Sequence, residues 1–143
     1  TNLYGPNDNF DEKSSHVIPG LIARMHNAKI NNSKEFKIWG TGKPLREFLF
    51  VNDFADAVQF IIDNNINEKL LNIGSGKEIS ILDLVKLIKN IINFEGELTF
   101  DFEKPDGNPR KLLDSSKINS LGWSPKTELI DGIEKTYNWY KNN

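Results

Sequence analysis

An indole, a guanidinium and a carboxylate stand in this chain where they can meet a phosphorylated aromatic ligand. Trp39 and Arg46 lie at the two ends of WGTGKPLR, where Gly40, Gly42 and Pro44 dictate a turn. An indole stacks on an aromatic base, and the guanidinium fork donates to phosphate oxygens in pairs. The same residues also fit an ordinary β-turn-β with a surface Arg and a half-buried Trp. Asp106 sits beside Gly107 in a second rigid loop, KPDGNPRK. There its carboxylate can accept from ribose hydroxyls or a guanine edge, or be a solvated turn residue. His16 lies where a polar loop meets a helix and can exchange a proton near neutral pH; a surface or capping imidazole is the plain alternative.

Arginine usage sharpens this set. Of eighteen basic residues fifteen are Lys, and the three Arg are Arg24, Arg46 and Arg110. A chain that uses Lys for generic charge marks its arginines as candidates for positions needing a planar, five-donor fork.

Other patterns are rejected. GTGK at 40–43 lacks the first P-loop glycine, since Lys37 stands there, and Pro44 replaces the magnesium-binding hydroxyl. GSGK at 74–77 fails in the same way, with Glu78 at the hydroxyl position. Tyr137 and Lys141 spell Y-x-x-x-K, but Tyr137 belongs to an apolar helical stripe and Lys141 suits a helix C-terminus. The net charge of −2, with acids and bases interspersed, gives no electrostatic case for nucleic acid or an anionic membrane. No apolar run approaches a membrane span. Without Cys, and with only two His, neither disulfides nor a thiolate or histidine-rich metal site is expected, and a cytoplasmic location is.

The elements that must position these groups read as follows. TNLYGP (1–6) is the tail of a strand running into a turn, as in a piece of a longer protein. Ser14 or Ser15 caps a helix over about Val17–Ala28. Strands over Phe36–Ile38 and Arg46–Val51 flank the turn. Asn52 or Asp53 then caps a helix to Asn64 whose apolar face is Phe54, Val58, Ile61 and Ile62. Leu70–Gly74 is a short apolar strand. Ser80 with Asp83 forms a capping box for the strongest helix, which buries Ile81, Leu84, Val85, Ile88, Ile91 and Ile92. Glu97–Phe102 alternates as a strand with Leu98, Phe100 and Phe102 on one face. Helices near Ser115–Leu121 and Asp131–Lys141 complete a mixed α/β chain with short strands and about five helices.

TNLYGPNDNF, SSHVIP, WGTGKPLREFLFVND, LNIGSG and KPDGNPRKLLD, in that order, resemble the C-terminal half of the GDP-L-fucose synthase family. These are NADP-dependent GDP-4-keto-6-deoxy-mannose 3,5-epimerase/4-reductases of the extended short-chain dehydrogenase/reductase group. SHVIP and KPDGNPRK are the more specific segments; the others are shared across nucleotide-sugar epimerases and dehydratases. The resemblance implies the C-terminal part of a Rossmann-type extended fold. Residues 1–143 would form one nucleotide-sugar-binding domain, with residual Rossmann elements near 1–6 and 70–74 and the N-terminal Rossmann half missing. It implies NADP(H) held mainly by that absent half, with Thr1, Asn2, Leu3 and His16 at the nicotinamide end. It makes His16 the acid/base of epimerisation, and Arg24, Trp39, Arg46 and Asp106 the residues that hold the GDP-sugar. The glycine-rich loop, catalytic Ser, Tyr-x-x-x-Lys pair and second acid, a Cys, would lie in the absent half, so the chain alone is expected to be inactive. Self-association through the uncovered face is a further expectation. The competing readings are another nucleotide-sugar epimerase or dehydratase, and a free-standing binding or assembly module.

Overall fold

The computed structural model describes residues 1–143. The elements run β1 (Asn2–Tyr4), α1 (Val17–Ile30), β2 (Glu35–Trp39), β3 (Leu45–Phe50), α2 (Val51–Asp63) and β4 (Glu78–Ser80). They continue with α3 (Ile81–Ile92), β5 (Glu97–Asp101), β6 (Arg110–Lys111), α4 (Ser116–Ser120) and α5 (Leu129–Asn142). This is the expected α/β class with five helices, and its strand pairing is mixed but mainly parallel.

The axis is β3. Its first half is flanked by β4, antiparallel with Leu45 opposite Ser80, and by β6, parallel with Arg46 opposite Lys111. Its second half pairs in parallel with β1, setting Asn2 opposite Phe48 and Tyr4 opposite Phe50. Period-2 alternation divides its side chains between two cores. Phe48 and Phe50 enter the main one, with Ile18, Ile22 and Met25 of α1, Leu84, Val85, Ile88 and Ile92 of α3, and Ile133 and Tyr137 of α5. Leu49 enters a smaller cluster with Ala57, Ile118 and Trp123. Each such aliphatic side chain, withdrawn from water, contributes about 1.5–3 kcal/mol before entropy is charged against it.

The turn after β2 is not the bend of a hairpin. β2 pairs with β5 in a separate parallel sheet, Trp39 opposite Asp101, so residues 40–44 carry the chain from one sheet to the other. Gly40 and Gly42 take φ of 69° and 70°, the left-handed conformation their lack of a Cβ permits. The turn also serves α3: Pro44 and Gly42 carbonyls accept from the amides of Ile81 and Leu82, and the Ser80 hydroxyl accepts from Asp83 N. Three amides that open the helix thus find partners.

Several expectations are corrected. Neither Ser14 nor Ser15 caps α1. Ser14 is drawn into a turn around the Asp11 carboxylate, and His16, in extended conformation, becomes the N-cap residue without a side-chain cap bond. α2 begins directly from β3 at Phe50, and neither Asn52 nor Asp53 caps it. Of its expected apolar face, Phe54 and Ile61 pack against the smaller cluster while Val58 and Ile62 are exposed, and the fully buried positions are Asp53 and Ala57. The physical reason is polar: Asp53 accepts from Thr127 N and Oγ1, and Asp56 accepts from Trp123 Nε1, which turns those positions inward. Leu70–Gly74 forms no strand and Leu70 is exposed, because no neighbouring backbone supplies a ladder. Phe102 lies beyond the end of β5, stacked on Phe100 at a ring distance of 5.8 Å and largely exposed, rather than in the core.

Candidate functional site

α1 carries one side of the site. His16, Gly20 and Arg24 recur at four-residue intervals and so share a helix face, which looks into a cavity of about 330 Å³. Trp39, Arg46 and Asp106 enter the same cavity from the end of β2, the start of β3 and the loop before β6. Ile38, Pro44 and Ile81 supply apolar wall.

Arg24 is held by three contacts. One Nη donates to the Lys37 carbonyl at 2.6 Å, and its guanidinium carbon lies 4.4 Å from the Trp39 ring centre and 4.9 Å from that of Phe36. Burial pulls this guanidinium below its ordinary pKa, with Glu12 opposing. The Trp39 indole keeps half its surface open to solvent, and Lys104 Nζ lies 5.9 Å from its centre. Arg46 is half-buried and donates to the carbonyl of Leu45 at 2.7 Å. None of the structure's ion pairs engages Arg24 or Arg46, so most of both donor forks is uncommitted. Two unpaired guanidiniums facing one cavity are the usual provision for an anion with several oxygens.

Asp106 is not a free loop carboxylate. Its Oδ1 accepts from Thr41 N at 2.8 Å and its Oδ2 from Thr41 Oγ1 at 2.6 Å. These bonds, with Lys43 nearby, hold its pKa below the usual carboxylate range. Arg110 stands outside the cavity, and its fork is spent on Glu78: Nε lies 2.9 Å from Oε2 and 3.0 Å from Oε1, and Nη2 is 2.6 Å from Oε2. That pair links β6 to β4 across β3. Of the three arginines, Arg110 is the one whose fork is engaged by a carboxylate within the chain, and it serves the fold.

Thr1, Asn2 and Leu3 do not reach this cavity. They line a second one, of about 450 Å³, with Gly5, Pro6, Asn7, Val51 and again His16. Asn2 Nδ2 donates to the carbonyl of Glu47 at 2.8 Å, fixing the wall. His16 is thus the residue shared by both cavities. The second cavity offers backbone, the amides of Asn2 and Asn7, the Asp8 carboxylate and an imidazole but no Lys or Arg, which suits an uncharged ring better than a phosphate.

Sequence reasoning passed over Thr41, Gly20, Val17, Leu21, Glu12 and Lys13, all but the first lining the cavity that holds Arg24 and Arg46. The spacing of Gly20 from His16 and Arg24, and of Leu21 from Val17, is the signal that identifies the helical wall. No local pattern announces Thr41, whose partner is 65 positions away.

The profile of the NAD dependent epimerase/dehydratase family matches residues 1–74. GDP-L-fucose synthase 1 of Arabidopsis thaliana is 55% identical over all 143 residues, which correspond to 44% of that protein. Among solved structures, a GDP-L-fucose synthetase from Naegleria fowleri bound to NADP superimposes with a TM-score of 0.93 at 33% identity, covering all of this chain and 45% of that one. A GDP-6-OMe-4-keto-L-xylo-heptose reductase from C. jejuni gives 0.88 at 34% identity, covering 99% of this chain and 52% of that one. The chain spans about half the length of the relatives it matches.

Proposed function

This chain belongs to the NAD dependent epimerase/dehydratase family, and from that premise we propose that it is the nucleotide-sugar-binding portion of an NADP-dependent epimerase/reductase. The substrate is a GDP-linked 4-keto-6-deoxy sugar, as in the GDP-L-fucose synthases it is similar to. Residues 1–143 act as one substrate domain, joined in the whole protein to a Rossmann half that holds most of the cofactor. The observation that carries the reading is the convergence of His16, Arg24, Trp39, Arg46 and Asp106 on one cavity, with His16 also facing a second.

In this assignment Arg24 and Arg46 take the diphosphate oxygens and Trp39 presents an aromatic face to the base. Asp106 keeps lone pairs beyond those used by Thr41 for a ribose hydroxyl. The second cavity fits the nicotinamide end of NADP(H): Thr1, Asn2 and Leu3 supply its wall, while the phosphates need cations that this cavity lacks. When bound, the cofactor supplies a hydride for the C4 ketone of the sugar. His16 moves protons at a ring nitrogen. It takes one from a carbon next to the ketone or returns one to the opposite face, a step for which the ketone already supplies most of the acidification.

The test uses the full-length protein. GDP should bind in preference to UDP and dTDP by calorimetry. Exchange of the C3 and C5 protons with deuterated solvent should fall at least roughly tenfold in His16→Asn, with GDP affinity unchanged. Equal affinity for the three nucleotides removes the GDP assignment, and wild-type exchange in His16→Asn removes the acid/base role.

A further inference from the structure

The segment Phe102–Pro109 crosses the mouth of the cavity that holds Arg24 and Arg46 as a strap of exposed residues, whose one large apolar side chain, Phe102, stacks on Phe100 at its near end. Its near end is tied at Asp101, whose carbonyl accepts from Gly40 N at 2.9 Å and Lys104 N at 3.3 Å. Its far end is tied where Leu45 N donates to the Pro109 carbonyl at 2.9 Å and β6 joins β3. Between those ties the hydrogen bonds to the rest of the chain are the two from Thr41 to Asp106. The turn is shaped to receive that carboxylate. A Cβ on Gly40 would lie 2.2 Å from Asp106 Oδ1, so only glycine leaves it room. Lys43 N donates to Thr41 Oγ1 at 3.2 Å, which occupies the hydroxyl as acceptor and leaves its proton for Asp106 Oδ2. Gly107, next along the strap, comes so close to Arg46 that an added Cβ would meet Nη2 at 2.9 Å.

We infer that Thr41 is a positioning residue for the nucleotide site, latching the strap shut by holding Asp106. The inference rests on the nucleotide-binding reading above. Thr41 need not touch the ligand. It fixes where Pro105, Asp106 and Gly107 stand, and with them the clearance around Arg46. Binding affinity and strap mobility are therefore coupled through one hydroxyl.

The experiment compares Thr41→Val, Thr41→Ser and Asp106→Asn in the full-length protein, reading GDP affinity by calorimetry and amide hydrogen exchange across Lys104–Gly107. Thr41→Val keeps the shape and the backbone amide but lacks the hydroxyl. It should raise the Kd for GDP roughly tenfold, as expected for a lost bond to a carboxylate, and speed exchange across the strap. Thr41→Ser restores the donor and should stay within about twofold of wild type on both readouts. Wild-type affinity and exchange in Thr41→Val, with weakened binding in Asp106→Asn, overturns the latch and leaves the nucleotide site standing. Wild-type affinity in all three variants removes the nucleotide site, and the latch itself then stands or falls on whether exchange in Thr41→Val is faster.

Discussion

Glu47 offers the sharpest test of how β3 organises the molecule. Its side chain is 1% exposed and takes part in none of the ion pairs. Its two oxygens tie down two separate segments. Oε1 accepts from Gly76 N at 2.8 Å, and Oε2 accepts from Leu113 N at 3.3 Å. Glu47→Gln preserves the shape but cannot preserve the pattern. Whichever way the amide lies, its NH2 faces one of the two backbone donors. The amide oxygen should keep the shorter bond to Gly76, leaving Leu113 N opposed. The lost charge assistance and the opposed donor together cost about 2 kcal/mol. Glu47→Ala loses both bonds and costs about 3 kcal/mol. Gly74 provides an internal control, since a Cβ there would lie 2.5 Å from Glu47 Oε1. Gly74→Ala should be harmful in the wild type and nearly neutral once Glu47 is Ala, a non-additivity diagnostic of direct contact. The assay is urea unfolding of the full-length protein followed by tryptophan fluorescence, with amide exchange read at Gly76 and Leu113. A Glu47→Gln protein within about 0.5 kcal/mol of wild type, with both amides still protected, refutes the reasoning.

Arg46→Lys keeps the charge but loses the planar fork. It should weaken GDP binding by roughly tenfold or more, while Arg110→Lys, whose fork is spent on Glu78, should leave binding within about twofold; calorimetry on both variants decides. Gly40→Ala forces a side chain into the left-handed region at φ 69° and against Asp106. It should cost about 1–2 kcal/mol in unfolding for the backbone alone and also free the strap, seen as faster exchange at Asp106. His26, whose Nδ1 lies 3.1 Å from Tyr137 Oη, is held below the ordinary imidazole value by burial, then by Lys29 and Lys141. The folded state therefore takes up its proton less readily than the unfolded one. The stabilisation this gives is complete above the ordinary histidine pKa and is lost as pH falls through that value toward the lower folded one. Melting temperature should drop across that interval in the wild type and drop less in His26→Phe; parallel pH profiles would contradict it.

What could be read from residues alone divides along sequence separation. α3 was legible because every determinant lies within it: Ser80 and Asp83 at its start, and Leu84, Val85, Ile88 and Ile92 at helical spacing. The two-residue β6 and three-residue β4 were not, since neither has any stability apart from β3. Leu70–Gly74 shows the converse, an apolar run with strand composition and no ladder to join. The candidate site lies between these cases. Residue type made Arg24, Arg46, Trp39 and Asp106 candidates, with Arg110 beside them, because fork, ring and carboxylate have few substitutes, and the family resemblance singled out the four. Only the fold could show that Arg24 is braced between Phe36 and Trp39, or that Asp106 is already bonded to Thr41. The cavity is thus built from two kinds of wall. α1 and β3 are fixed by the main core, whereas the exposed strap rests on two solvent-accessible hydrogen bonds from Thr41. Opening the strap breaks two hydrogen bonds from Thr41, while moving α1 would expose Ile18, Ile22 and Met25. The strap is the wall whose displacement costs less.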